Sequence, residues 1–400
     1  MTALSTPLDV AASWLAVHGA DLVALRRDLH AHPELGREEV RTTAVLTERL
    51  HAAGVPTQPL PGGTGLWCEV GTAGGPVVLL RADIDALPLD DEKDVPYRST
   101  LPGVCHACGH DVHATIAVGA ALALAAAHER LPLPGLVRIV FQPAEELMPG
   151  GATDVVAAGL CADASVALAL HCDPTLDVGR LGVKVGAITS AADRVEVLLR
   201  GPGGHTSRPY RTVDMVSALA AVATEVPATL ARRLDARAGV SLVWGSVHSG
   251  VASNAIPDRG ALAGTVRMLD IDLWREVPGV VEELVHQVAV RFGAEVSVTY
   301  TRGVPPVVND RRASGLLSHA ADAVLGPGSA VPTQQSLGGE DFSWILEAVP
   351  GAMARLGVRP LGWVGRDLDL HQGRFDVDEA AIGIGARVLT RAALDALDVD

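Results

Sequence analysis

The strongest constraint on this chain's fold is a set of short, nearly all-apolar runs, each closed by Gly, Pro or charged residues, alternating with helix-like segments. Residues 77–80, 136–141 and 166–170 are too short for helices and apolar at almost every position, as strands buried on both faces are. Helical patterns occupy residues 21–32, 38–53 and 112–128, with Gly54 as a stop signal after the second and a short helix expected after Gly151. Short runs at 66–70 and near 352–357 add strands. This alternation predicts an α/β layer around a mixed, largely parallel sheet.

From about Ala191 the pattern changes. Val195, Val197 and Leu199 alternate as a half-buried strand, residues 213–234 read as a helix, and 240–247 and 261–268 as strands. A helix at 273–292 and a strand at 294–300 complete a β-α-β-β-α-β order, that of a ferredoxin-like α+β unit able to fold as an insertion. After Pro305-Pro306 the helical pattern returns. The expected organisation is a first unit at 1–188, an inserted domain at 189–303, and a return to the first unit at 304–400.

Lys and Arg number 32 against 47 Asp and Glu, a formal charge of -15 with no basic stripe, so nucleic acid is not expected as a partner. The longest strongly apolar stretch, 116–127, falls short of the roughly 18 residues a membrane span needs, so no membrane association is expected. No Lys or Arg precedes Arg26, so the basic start of a secretory signal is missing and a cytoplasmic location is expected. The five cysteines, an odd number in a long chain, are read as reduced thiols.

Chemistry-bearing residues stand just past the apolar runs, where open α/β sheets gather ligands. Asp83 and Asp85 follow the run 77–80, Glu145 and Glu146 the run 136–141, and His171 the run 166–170. The block His106-Ala107-Cys108-Gly109-His110-Asp111 adds a thiol and imidazoles. Thiolate, imidazole and carboxylate together bind zinc-like ions, so a dispersed metal site is expected, with Cys108, His110 and His171 as ligands. Cys105-His106-Ala107-Cys108 lacks the second C-x-x-C of a zinc ribbon and the context of a redox motif, which leaves Cys105 structural. His106 and His113 are read as hydrogen-bonded structural histidines. Asp111 is read as orienting a ligand or as a helix-start carboxylate. Adjacent Glu145 and Glu146 point apart, so one carboxylate can ligate while the other exchanges a proton with water and leaving group. His371 is weak by itself.

These blocks together resemble the aminoacylase, hippurate hydrolase and indole-acetyl-amino-acid hydrolase family of dinuclear metallohydrolases, related to zinc carboxypeptidases. The resemblance runs over nearly the whole chain. It rests on Asp28-Leu29-His30-Ala31-His32-Pro33-Glu34-Leu35-Gly36, Arg81-Ala82-Asp83-Ile84-Asp85-Ala86-Leu87-Pro88, the block from His106 to Asp111, and Phe141 to Glu146. Gly201-Pro202-Gly203-Gly204-His205, Asn254-Ala255-Ile256-Pro257-Asp258, Gly264-Thr265-Val266-Arg267 and Gly339-Glu340-Asp341-Phe342 follow in order.

The resemblance implies two divalent ions, zinc first with manganese, cobalt or nickel also suited, held by Cys108, His110, Glu146, His171 and His371, with Cys108 as the bridge. It implies Glu145 as acid/base. Asp83 stands where many relatives outside this branch carry a ligating histidine, and with Asp85 and Asp111 it is expected to support the ligands. The inserted domain is implied to be a lid and dimer surface in a homodimer. There His205 resembles a histidine that serves a neighbouring active site, and Asn254 and Arg267 resemble a clamp for a free carboxylate. The implied reaction is hydrolysis of an N-acyl-amino acid. A dipeptidase or carboxypeptidase of the same fold, and a metal-binding protein without catalysis, are the alternatives. Gln372, where close relatives carry Ser, and the segment Arg366-Asp367-Leu368-Asp369 depart from the family pattern.

Overall fold

The computed structural model describes residues 6–365 and 368–398. The chain divides into two compact units: Met1–Ile188, Val308–Gln334 and Asp341–Asp400 form the first, and Thr189–Val307 with Gln335–Glu340 the second. The chain thus re-enters the inserted unit for a few residues late in the sequence, a return no local pattern signals.

The first unit opens with α1 (Pro7–Ala31) and α2 (Val40–Ala52). Helix α1 starts well before the expected residue 21. Its first turn is set by a capping box in which the Asp9 amide donates to Thr6 Oγ1 at 3.1 Å and the Thr6 amide to Asp9 Oδ2 at 3.1 Å, with Pro7 fixing φ at the first position. Strands β1 (Thr57–Pro59), β2 (Leu66–Gly71) and β3 (Val77–Asp83) lead to α3 (His110–Arg130), β4 (Leu136–Gln142), α4 (Ala152–Ala157), β5 (Ala164–Asp177), β6 (Leu181–Val183) and β7 (Gly186–Ala187). After the insertion come β14 (Val308–Asn309), which pairs with β7, α7 (Arg311–Leu325), β15 (Ala330–Pro332), α8 (Phe342–Ala348), β16 (Gly351–Arg359) and α9 (Ala380–Leu397).

Eight strands form one mixed sheet in the order β1-β2-β4-β3-β5-β16-β6-β15. Its centre is parallel: β3 pairs in parallel with β4 and β5, and β5 with β16. Strand β3 is buried at all seven positions, as expected of a parallel strand covered on both faces. Helix α3 is apolar all round and packs on α1 and α9. A side chain at Gly119 would meet Leu22 at 2.9 Å and Ala386 at 3.1 Å, so this glycine lets the three helices close together. The stretch 116–127 is therefore core. Strand β5 runs past the expected end at residue 170 through Pro174 to Asp177; the register slips between Gly357 and Arg359 opposite, where a missing ladder donor is tolerated.

The second unit contains β8 (Ala192–Arg200), α5 (Met215–Arg233), β10 (Ser241–Ser249), β12 (Arg259–Arg267), α6 (Ile271–Ala289) and β13 (Glu295–Val304), with a small ribbon of β9 (Gly204–His205) and β11 (Ala255–Ile256). Its sheet order β10-β12-β8-β13, antiparallel throughout, is the ferredoxin-like arrangement the sequence predicts.

Candidate metal centre

Because β3, β4 and β5 run parallel, their carboxyl-terminal halves deliver side chains toward one edge of the sheet. Asp83 ends β3 with Asp85 two residues on, Glu145 and Glu146 follow β4, and His171 lies in β5. Cys108 and His110 come from the start of α3 and His371 from the loop after β16. Gly109, at φ 90, makes the entry to α3 possible: a Cβ there would meet Cys172 Sγ at 2.8 Å.

Several groups of close donor atoms result, two of which share Cys108. Cys108, His110 and His171 offer ligand atoms within 4.8 Å of one another, and so do Cys108, Glu146 and His371. Cys108 Sγ lies 3.6 Å from His171 Nε2, and His371 Nε2 lies 3.2 Å from Glu146 Oε1. His371 sits at φ 60, a left-handed conformation uncommon outside glycine, and its amide donates to the Ala107 carbonyl at 2.8 Å, tying its loop to the cysteine segment.

The inner ring nitrogens are fixed. His110 Nδ1 donates to the Asp85 carbonyl at 2.9 Å and lies 3.1 Å from Asp85 Oδ1; His171 Nδ1 donates to the Cys172 carbonyl at 2.8 Å. Each Nε2 is then the atom presented to a cation, the arrangement by which supporting acceptors orient metal-binding imidazoles. His110 Nε2 is buried without a hydrogen-bond partner, an unfavourable state for a polar nitrogen that a bound cation would relieve. The donor set therefore fits a divalent ion.

Burial pushes the Cys108 thiol up to about 12 against the pull of His110. Burial, reinforced by Arg355, holds His171 well below the usual histidine range and so in its neutral, ligating form. For His110 burial acts the same way but is outweighed by Asp83 and Cys108, which hold it well above that range. Asp83 is kept well below the carboxylate range, since His110, Arg81 and His113 together overcome the effect of burial.

Asp85 also accepts from the Glu146 amide at 2.9 Å, so one carboxylate orients His110 and the segment that carries both glutamates. Half-buried Glu145 brings Oε2 to 4.0 Å from His110 Nε2. Asp83, His110 and His113 form a further close group, but both nitrogens of His113 are engaged within the protein, as is Asp83.

Two sequence expectations are refined. Asp111 stands in the first turn of α3, as its helix-start reading expects, but it does not orient its neighbour His110: successive helix residues point about 100° apart, and its Oδ2 accepts instead from Arg26 Nε and His30 Nδ1, each at 2.7 Å. His106, expected to be hydrogen-bonded, is buried with neither ring nitrogen partnered, and burial lowers it to about 4. Cys105 is buried against Leu87, Ala107 and Cys108, and all five cysteines are free. Arg366 and Asp367 lie outside the described residues.

Sequence reasoning gave no role to Arg81, Gln142 or Asp341. Arg81 is buried and donates to Gln142 Oε1 at 2.9 Å, Asp83 Oδ2 at 2.7 Å and Asp341 Oδ1 at 2.7 Å. A charged residue inside an otherwise apolar strand was the available signal, because such a charge is buried only when paired.

In the second unit, exposed His205 lies in β9 opposite Ala255, and the Thr206 amide donates to the Asn254 carbonyl at 3.2 Å, so His205 and Asn254 share one ribbon. Arg267 ends β12 and donates from Nη1 to the Leu337 carbonyl.

The sequence profile of peptidase family M20/M25/M40 matches residues 79–395. A Rhodococcus jostii protein named for a glutamate–cysteine ligase is 46% identical over 370 residues, 92% of this chain, yet the chain spans only 46% of that protein's length. N-acetyl-L-cysteine deacetylase of Bacillus subtilis is 34% identical over 379 residues, covering 94% of this chain and 88% of its own. A Bacillus subtilis dinuclear metal-binding peptidase of the M20 family superposes with a TM-score of 0.83 at 31% identity, over 96% of this chain and 100% of that one. A profile spanning most of the chain and relatives alike along nearly all of it lead to one assignment: the chain belongs to peptidase family M20/M25/M40.

Proposed function

We propose that this chain hydrolyses the amide bond of N-acyl-amino acids at a centre of two divalent ions held by Cys108, His110, Glu146, His171 and His371. The observation that carries the reading is the pair of three-donor groups that share Cys108, the placement a bridging thiolate needs. Divalent ions at such a site polarise the amide carbonyl and acidify water. Zinc suits the donor set best, and manganese, cobalt and nickel accept the same imidazole and carboxylate donors.

Glu145 takes the proton from the attacking water and returns it to the departing amine nitrogen, the division of labour that two adjacent, divergent carboxylates allow. Metal storage would need the ligands but not this second carboxylate. Asn254 and Arg267 bind the free carboxylate of the substrate, and His205 steadies the developing oxyanion in the site of a partner subunit within a homodimer. The name of the Bacillus subtilis deacetylase supports a small acyl group on an amino acid as the first substrate class to try.

The test is a panel of N-acetyl, N-benzoyl and long-chain N-acyl amino acids, their methyl esters, and free dipeptides, assayed with Zn²⁺, Mn²⁺, Co²⁺ and Ni²⁺. Metal-dependent release of free amino acid from the acyl substrates, with esters poor, is expected. Turnover of dipeptides alone would replace the reading with a dipeptidase, and no turnover of any amide would remove it.

A further inference from the structure

His113 has both ring nitrogens engaged, and the partners fix its chemistry. The Cys172 amide donates to His113 Nε2 at 2.8 Å, so Nε2 must be an acceptor. The proton therefore sits on Nδ1, which donates to Asp83 Oδ1 at 2.6 Å. Asp83 is in turn gripped by Arg81, whose guanidinium also donates to Gln142 and Asp341. On the other side, the peptide whose amide His113 receives belongs to Cys172, and the carbonyl of that residue accepts from His171 Nδ1. All these side chains are buried.

We propose that His113 is a positioning residue for the metal centre: it ties the Cys172 backbone, which anchors His171, to the Arg81–Asp83 cluster. The proposal rests on the metal-centre reading above. Histidine suits both ends at once because its two nitrogens face different directions with opposite roles, one donating to a carboxylate and one accepting from the main-chain amide that anchors His171. With the link cut, Cys172 can turn and carry the His171 ring with it. The ion bound by Cys108, His110 and His171 then loses affinity, whereas the one bound by Cys108, Glu146 and His371 changes less. Loss of such supporting contacts weakens metal binding by roughly 10- to 100-fold.

The experiment compares the full-length protein with His113→Asn and His113→Gln, using Zn²⁺ competition against a chromophoric chelator and the absorption of the Co²⁺-loaded protein. An asparagine amide can still donate to Asp83 but does not reach Cys172, whereas a glutamine oxygen lies near the former Nε2 and can accept from the Cys172 amide. Expected are two ions in the parent, one of them weakened by roughly 10- to 100-fold in His113→Asn, and substantial recovery in His113→Gln. Parent-like binding of both ions by His113→Asn overturns the proposal, as does a His113→Gln protein no better than His113→Asn. A parent that takes up no ions, or a Cys108→Ala protein that binds as the parent does, overturns the metal-centre reading instead and the proposal with it. Should His113→Asn fail to fold, imidazole ¹⁵N spectra of the parent decide: a proton on His113 Nδ1 supports the proposal and one on Nε2 overturns it.

Discussion

The two units bury charge in opposite ways. In the first, Arg26, Arg81, Asp83, Asp85, Asp91, His110 and Asp111 are all buried, and they meet in networks in which each carboxylate faces a cation or a donor. Among the described residues of the second, the buried ionisable side chains are Asp193 and Glu340. Asp193 is held by neutral donors: Trp274 Nε1 at 3.1 Å, the Gly303 amide at 2.9 Å and the Tyr300 hydroxyl at 2.8 Å. Burial raises Asp193 above the usual carboxylate range, whereas Asp83 and Asp111, equally deprived of water, are held well below it by cations. The first unit holds Asp83 and Asp111 as fixed anions among cations and donors, beside its candidate metal ligands. The second needs only an apolar core, and it carries its candidate substrate groups on strand ends and ribbons.

The contrast predicts that the first unit is far less tolerant of single changes. The largest effect is expected for Cys108→Ala, which removes the donor common to both groups and should lose most bound metal and essentially all turnover, while Cys105→Ala keeps both. Elemental analysis after dialysis checks it, and equal metal in Cys108→Ala and parent would refute the bridging role.

Glu145→Gln comes next. The amide keeps the shape but cannot take a proton, so turnover should fall by roughly 10² to 10⁴ while metal content holds. Near-normal rates in the loaded variant would assign the proton to another group.

Third is Arg26→Met, which strips the guanidinium from Asp111 and leaves His30 Nδ1, at 2.7 Å, as that carboxylate's close hydrogen-bond donor. Breaking a buried pair from one side costs about 3 to 5 kcal/mol, read as a lower urea midpoint at constant slope. A loss below about 1 kcal/mol would mean the network is not what holds this helix start.

The smallest effect is expected for Asp193→Asn in the second unit. The amide oxygen still accepts from Trp274 and Gly303, so stability at neutral pH should stay within about 1 kcal/mol of the parent. The sign with pH follows from the raised folded value: the folded parent holds its proton more tightly than the unfolded chain, so its advantage is full at acid pH. It is lost as pH rises from the unfolded value of 3.8 through the folded one. Urea titrations at acid and neutral pH should show Asp193→Asn gaining on the parent as pH rises; the opposite slope would show that Asp193 is stabilised as an anion.

The sequence by itself determined which segments are strands buried on both faces, the β-α-β-β-α-β order of the insertion, and the residue types of the candidate metal centre. These follow from apolar periodicity and from side-chain chemistry, which are local properties. It also led to the expectation that Glu145 and Glu146 serve different ends, because adjacent side chains diverge. Tertiary structure decided the partners. That Asp111 turns to Arg26 and His30 while Asp85 orients His110, that Arg81 spans Asp83, Gln142 and Asp341, and that His113 meets the Cys172 amide are contacts between residues far apart in the chain. Hydrogen bonds are directional and depend on where the parallel strands and helix starts place each backbone. No spacing in the sequence encodes that, so the candidate ligands and the nearby carboxylates could be named from the sequence, while the contacts that join them could not.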